Sequence, residues 1–200
     1  KGKVAKGKEP KWKDEYIPLM KEHDVPDWYI KSCEKIKYMF PKAHAAAYVT
    51  NAFRIAWFKV HIPLAYYAAY FSIRAKAFDA SCMIFGKEKV KNKMKEIEMK
   101  NQKKEATKAE LDMYDDLEIV LEMYERGFEF LPVDLYESEA TKFKVQDNKL
   151  RPPLNSIPGF GGVAAQGIVE ARKDGKFMSI DDLKIRAKIG ASGADLLKEF

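Results

Sequence analysis

The spacing of hydrophobic residues predicts helices through most of the first half of the chain. Proline is tolerated in the first turn of a helix, where its missing N–H would have no partner, and three helices that begin near a proline are predicted over 26–39, 42–60 and 63–71. Residues 14–23 predict a shorter helix that Pro18 interrupts. The Lys/Gly-rich residues that precede it predict a solvated basic arm.

The pattern changes in the second half. Residues 78–100 are amphipathic and Lys-rich, and beyond an exposed link Thr107 and Glu110 form a capping box that opens an acidic helix ending at Gly127. After Gly127 the hydrophobic period shortens toward two residues, which predicts two or three short strands and a hairpin at 147–148. The chain is therefore predicted to be mainly α with a small β element.

The distribution of charge favours a polyanionic partner. Residues 1–110 carry 24 Lys and Arg against 13 Asp and Glu, and no acidic residue falls between Glu34 and Asp79. Solvated helix faces usually mix both signs, so an apolar segment that carries only cations is interpreted as a packed element that turns them toward an anion such as phosphate. The alternative is that the absence of acidic residues from this segment is a coincidence.

Several other classes of function leave no signal. Two cysteines without a CxxC spacing or a secretory leader favour a reducing compartment, the cytoplasm, and the apolar segment 60–73, which lacks Asp, Glu, Lys and Arg, is too short to span a membrane. The three histidines are scattered and no carboxylate cluster has ligand spacing, so no metal site is predicted. No Ser/His/Asp arrangement, Walker loop or dinucleotide fingerprint is present.

A glycine pattern near the C-terminus indicates a helix-hairpin-helix element. The sequence IPGFGG at 157–162 is followed by VAAQGIVEAR, an apolar helix with small residues. Gly159, Gly161 and Gly162 are predicted to let main-chain N–H groups approach a DNA phosphate, which grips the backbone of any sequence without reading bases. The alternative is a Gly-rich turn between two packed helices.

A second, degenerate hairpin is predicted downstream. GKFMSIDDL at 175–183 is similar to the connector of paired hairpins, with Ser179 as the N-cap of the next helix. KIGASG at 188–193 then supplies the second Gly-rich turn.

The helix predicted over 42–60 presents a candidate ligand site. His44 and Tyr48 fall four residues apart on one stripe, with small residues beside them. Lys42 lies in the first turn, where free N–H groups and the helix dipole attract an anion, and Arg54 extends the basic surface. The alternative is a structural histidine and a core tyrosine at ordinary helical spacing.

The segment KIKYMFPKAHAAAYVTNAFRIAWFKVHIPLAYYAAYFSIRA closely resembles the fingers region of bacterial replicative DNA polymerase III alpha subunits of the PolC type. The flanking segments KVAKGKEPKWKDEYIPLMKEHDVPDWYI, GFEFLPVDLYESEATKF and LRPPLNSIPGFGGVAAQGIVEARKDGKFMSIDDL follow the order of that family. The resemblance implies a multi-helix fingers region over 1–127 and a short β connector over 128–154. A duplex-binding helix-hairpin-helix domain, truncated at its C-terminus, then covers 155–200.

The resemblance also implies ligands. The nucleotide-binding candidates for an incoming deoxynucleoside triphosphate are Lys42, His44, Tyr48 and Arg54, and the candidates for gripping primer-template duplex are Gly159, Gly161 and Gly162. The chemistry of the family is nucleotidyl transfer by two Mg²⁺ ions on palm aspartates, which should lie upstream of Lys1, so the segment alone is expected to be inactive. Within it, Asp112, Asp115 and Asp116 are predicted to be a solvated helix face.

Other partners and functions stay open at this point. The family carries a short peptide that binds a sliding clamp, and no such motif precedes Phe200. A stand-alone, non-catalytic protein that binds DNA of any sequence is the main alternative function. A scaffold whose helices pack only against protein is another.

Overall fold

The computed structural model describes residues 11–35 and 41–200. These residues form ten α-helices and one two-stranded sheet. Contacts between residues divide the chain into one unit over Lys1–Ala56 and another over Trp57–Phe200. The prediction of a mainly α chain with a small β element is confirmed. Among the described helices, none is long and apolar enough to cross a membrane.

The first unit follows the predicted helix starts. A π-helical turn at Trp12–Tyr16 leads into α1, Ile17–Glu22, which is followed by α2, Asp27–Lys35, and α3, Lys42–His61, whose last residues belong to the second unit. The helix predicted over 14–23 with an interruption at Pro18 is divided in the structure, because the π-helical turn ends at Tyr16 and α1 begins next to Pro18. Pro18 lies in the first turn of α1, where no intrahelical N–H bond is lost. The basic arm and the predicted end of the second helix at 36–39 lie outside the described residues.

The second unit contains the remaining elements. Its helices are α4 (Pro63–Ile73), α5 (Ala80–Met83), α6 (Lys87–Gln102), α7 (Lys108–Glu125), α8 (Gly162–Ala171), α9 (Ile180–Ala187) and α10 (Ala191–Lys198), and its strands are β1 (Lys144–Gln146) and β2 (Lys149–Arg151). The strands are antiparallel, with Val145 opposite Leu150.

Local sequence signals explain the ends of several of these elements. The capping box at the start of α7 is complete: the Glu110 N–H donates to the Thr107 hydroxyl at 3.2 Å, and the Thr107 N–H donates to the Glu110 carboxylate at 2.8 Å. Gly127 follows α7 with a φ of 82°, in the left-handed region that glycine enters without strain. Asp147 and Asn148 both have positive φ and form the tight turn between β1 and β2.

A third strand, which the sequence allowed, does not form. Of the segment 128–136, only Phe130 pairs, in an isolated bridge with Leu150. The N–H of Leu131 donates to the Leu150 carbonyl at 2.7 Å, and Pro132 then lacks a donor to continue a ladder.

One hydrophobic core of the second unit lies among α4, α6, α7 and the sheet. Tyr67 and Phe71 of α4 and Leu117 and Val120 of α7 are fully or almost fully buried, at the three- and four-residue spacing of a helix face. A separate core lies under α8, α9 and α10, where small residues such as Ala165 let the helices approach. Two cores in one unit give each group of helices its own apolar support.

One predicted surface residue is buried. Asp115 is exposed, but Asp116 is only 2% exposed, so the prediction of a solvated face is wrong for Asp116. Its carboxylate accepts N–H bonds from Lys76 at 2.9 Å and Ala77 at 2.8 Å, and thus holds the connection between α4 and α5. Burial raises the pKa of this carboxyl above its usual range, while the two N–H bonds act in the opposite direction.

The acidic helix α7 also pairs with lysines that the sequence assigned to the positive field. Lys59 lies 2.9 Å from Glu122, and Lys100 lies 2.6 Å from Glu110. Lys87 and Lys91 both approach Glu125, and Lys76 approaches Asp112. For Lys59 and Lys76, which lie in the segment without acidic residues, the anion is therefore a protein carboxylate.

Candidate nucleic-acid interface

The first hairpin, residues 157–162, is a tight turn that leads directly into α8. The Phe160 N–H donates to the Ile157 carbonyl at 3.0 Å, and the Phe160 side chain is buried in the second core. Gly159, between them, has a φ of 79°, a left-handed conformation that favours glycine. The turn therefore anchors one apolar side chain and leaves its glycines at the surface.

The glycine at position 161 is not required by the fold. Gly161 is the N-cap of α8, with an ordinary φ of −74°, and a Cβ added there would meet nothing within 4 Å. Gly162 has room as well, because its added Cβ would lie 3.6 Å from the Thr141 methyl group. A main chain without side chains is thus open to approach from outside at the start of α8.

The second hairpin, residues 188–191, repeats this backbone. Lys188 takes the left-handed position of Gly159 with a φ of 54°, and Ile189 is buried as Phe160 is. Gly190 then caps α10 with a φ of −74°, equal to that of Gly161. The sequence predicted a degenerate second turn, and only the backbone angles show how closely it matches the first.

Both hairpin helices begin without a side-chain cap. Three other helix starts in this unit use one: the Ser179 hydroxyl accepts from the Asp182 N–H at 3.1 Å, as predicted for this N-cap, and Thr107 and Asp79 cap α7 and α5. The helices α4 and α6 also begin without a side-chain cap. At α8 and α10 the N-cap is glycine, and no side chain accepts from the first turn. Since the first N–H groups of a helix lack intrahelical acceptors, these two N-termini are available to an external anion.

The cations near the hairpins divide into two groups. The three arginines of this region donate to protein carbonyls: Arg151 to Pro132, Arg172 to Leu135 and Ser138, and Arg186 to Gly175. By contrast Lys188 is exposed, and within the described part of the chain its ammonium has no ion pair or hydrogen bond. Lys142, next to Thr141, is exposed in the same way. Lysine therefore supplies the available positive charge around the turns.

Close packing holds the hairpin helices together. A Cβ added at Gly167 of α8 would lie 2.3 Å from the Ala187 carbonyl oxygen of α9. Gly193 of α10 packs against the Phe160 ring, at 3.4 Å for an added Cβ. The glycines of this region thus serve two purposes, since some permit helix contact and others leave the turns bare.

The candidate nucleotide site lies on α3, in the first unit. Every residue from Lys42 to Arg54 is exposed, and the rings of His44 and Tyr48 lie together with centroids 4.4 Å apart. At about 100° per residue, Tyr48 is about 40° from His44 around the helix, whereas Lys42 is about 160° and Arg54 about 80° away. The structure therefore brings His44 and Tyr48 together, while Lys42 and Arg54 lie on other faces of α3.

The described residues contain no group of three His, Cys, Asp or Glu side chains that could hold a metal ion. The two cysteines are free thiols, and burial raises the pKa of Cys82 to about 12, so that thiol stays protonated at neutral pH. Sequence reasoning missed the buried role of Asp116, since neither its residue type nor its spacing signals burial.

Comparisons with known proteins agree with the hairpin geometry. Residues 127–198 match the family described as helix-hairpin-helix motif. The chain is 52% identical over 185 residues, 92% of its length, to a protein of Streptococcus suis named DNA polymerase III PolC-type. A protein of the same name from Oceanobacillus iheyensis is 52% identical over 97% of the chain.

These relatives are much longer than the chain. The match covers 13% of the Streptococcus suis protein and 13% of the Oceanobacillus iheyensis protein. Identity at this level over nearly the whole chain cannot arise from a shared motif alone, and the resemblance seen in the sequence is confirmed. Over the segment that it shares with them, the chain belongs to the DNA polymerase III PolC-type family.

Proposed function

We propose that this chain is the part of a replicative DNA polymerase that holds primer-template duplex by its sugar-phosphate backbone. The observation that carries the proposal is the bare glycine at 161. Neither its φ of −74° nor its surroundings require glycine, and the missing side chain leaves the main chain open to a molecule that approaches from outside. The expected ligand is a phosphate, because a helix N-terminus offers N–H groups and a favourable dipole.

The second hairpin extends the grip to a second phosphate. Its matching backbone and uncapped α10 offer the same donors, and Lys188 adds a charge that Gly159 lacks. Contacts of this kind do not read base edges. The proposal therefore predicts affinity for duplexes of any sequence, with the logarithm of the affinity falling linearly with the logarithm of salt concentration.

The test is fluorescence anisotropy with two labelled duplexes of unrelated sequence. Gly161→Leu should leave the fold intact and weaken binding to both duplexes by the same factor, about tenfold or more. Ala109→Leu adds the same bulk at an exposed position of α7 and should change nothing. Equal affinities for the parent and Gly161→Leu, or a loss confined to one sequence, would overturn the proposal.

The second hairpin has its own variant. Lys188→Gly keeps the left-handed turn and removes the charge. If Lys188 neutralises a phosphate, the slope of log affinity against log salt should fall by about 1. An unchanged slope would remove this lysine from the interface.

The incoming deoxynucleoside triphosphate is the second proposed ligand, at the start of α3. The supporting observation is the adjacent, exposed His44–Tyr48 ring pair on a helix whose first turn holds Lys42 and no acidic residue. The rings offer a flat face for a base and a hydrogen bond for a sugar or phosphate, and Lys42 lies where the helix dipole favours an anion. Arg54 is the remaining candidate from the resemblance.

Single-nucleotide insertion kinetics in the full-length polymerase test this site. His44→Ala and Tyr48→Ala should raise the apparent KM for nucleotide together, because their rings share one face. Lys13→Ala, an exposed lysine of the same unit outside α3, is the control. Unchanged kinetics in the α3 variants would remove the pocket assignment.

The polymerase activity belongs to the longer protein in this proposal. Nucleotidyl transfer needs Mg²⁺ ligands, and the described residues offer no cluster for them, so the proposal places them in other parts of the polypeptide. The isolated chain should bind DNA without extending a primer. Primer extension by the isolated chain would contradict this division, and a stand-alone DNA-binding protein would lack a polymerase region in the same reading frame.

A further inference from the structure

A groove of about 450 Å³ opens beside the first hairpin. One wall is the turn itself, with Pro158, Gly159 and Gly161. The other wall comes from the connection between α4 and α5, at Phe78, and from Met113 of α7. The groove is thus continuous with the surface that we propose holds a DNA phosphate.

The chemistry of the groove differs from that of the turn. Its walls include the aromatic ring of Phe78, the thioether of Met113 and the ring of Pro158, and no lysine or arginine lines it. The Asp79 carboxylate on its border is already engaged by the Ser81 N–H at 2.7 Å and hydroxyl at 2.6 Å. Apolar walls next to a carboxylate repel a second phosphate and suit an uncharged, flat group.

One polar group remains for recognition. Asn155 lines the groove and is exposed, and among the described residues its side-chain amide has no hydrogen-bond partner. An amide offers both a donor and an acceptor, as the edge of a nucleobase does. The volume of the groove lies within the range of ligand sites, roughly 300–1,000 Å³.

We propose that this groove receives one unpaired base of the DNA strand whose phosphate is held at the Gly159–Gly161 turn. The inference rests on the proposed function, because the phosphate places the neighbouring nucleotide at the mouth of the groove. A paired base points into the duplex and cannot enter, so the ligand class is DNA with a single-stranded extension, as in a primer annealed to a longer template. The base stacks on apolar side chains, and Asn155 bonds its edge.

The experiment compares a blunt duplex with the same duplex carrying a short single-stranded extension, at either strand end, in anisotropy titrations with the 200-residue chain. One extension of either polarity should bind about tenfold more tightly than the blunt duplex, the effect of stacking one base on apolar side chains. 2-Aminopurine at the first unpaired position should change its fluorescence on binding.

Two variants locate the effect. Met113→Trp fills the groove and should abolish the preference for the extension while blunt-duplex binding stays unchanged; Met99→Trp, an exposed methionine of α6 outside the groove, is its control. Asn155→Ala removes the amide with little risk to the fold and should reduce the preference, whereas Asn92→Ala, exposed on α6, should not.

The negative results of these experiments distinguish failure of the groove inference from failure of the proposed function. Equal affinity of the parent for the blunt and extended DNAs overturns this inference and leaves the proposed function standing. Preference that survives both groove variants shows that the unpaired base binds elsewhere and also overturns it. No binding to either DNA overturns the proposed function, and the inference falls with it.

Discussion

Replacing Gly167 by alanine measures how closely α8 packs on α9. The added Cβ would lie 2.3 Å from the Ala187 carbonyl oxygen and 3.3 Å from its carbonyl carbon. Atoms in ordinary contact lie ~3.5 Å apart, so the two helices must separate by roughly 1 Å. The obstacle is main chain, which has no alternative rotamer, so the strain cannot be relieved locally.

The magnitude follows from two opposing effects. Overpacking a core costs about 1–3 kcal/mol, and the upper part of that range applies because the obstacle is backbone. Alanine in a helix interior recovers about 1 kcal/mol relative to glycine. Gly167→Ala should therefore lower the free energy of unfolding by about 2 kcal/mol.

The assay is urea unfolding followed by far-UV circular dichroism, with hydrogen exchange of the α8 and α9 amides to locate the change. Gly162→Ala is the matched control in the same helix, because its added Cβ makes ordinary contact with Thr141, and its stability should not fall. If Gly167→Ala unfolds at the urea concentration of the parent and its α8 and α9 amides exchange at the parental rate, the reasoning is refuted.

Substitutions at three positions of α7 test its burial, its capping and its contacts. Asp116→Ala leaves two backbone N–H groups without an acceptor and should cost about 3 kcal/mol of unfolding free energy, whereas Asp116→Asn keeps an acceptor, removes a buried charge and should cost less than about 1 kcal/mol; equal losses in urea unfolding would refute this role. The hydrogen bond from Lys100 and the capping box lower the pKa of Glu110 from 4.5 to about 2, so its stabilisation is present above 4.5 and is lost as the pH falls through about 2. Glu110→Gln should flatten the fall of the urea midpoint over that pH window, and a parental pH profile would contradict the assignment. Tyr124→Phe leaves the Gly86 N–H without its hydroxyl acceptor at 3.2 Å and should lower the unfolding free energy by about 1–3 kcal/mol, so unchanged thermal unfolding would argue against it.

The sequence by itself determined the helical plan because its signals are local. Pro63 at a helix start, the capping box of Thr107 with Glu110, and Gly127 beyond α7 each act within a few residues of the chain. The IPGFGG pattern indicated the first hairpin for the same reason. The third strand that the sequence allowed stops at Phe130, since its pairing needs a partner distant in sequence and Pro132 has no N–H to continue it.

Only the tertiary structure decided which polar side chains face solvent and which surfaces lie together. Asp115 and Asp116 are neighbours of one residue type, yet burial under the α4–α5 connection separates them. The groove joins Met113 to Asn155, far apart along the chain, and the equal φ of Gly161 and Gly190 appears only in the folded backbone. These features arise from long-range packing, whereas a sequence pattern reports only the neighbours of each residue along its own helix, strand or turn.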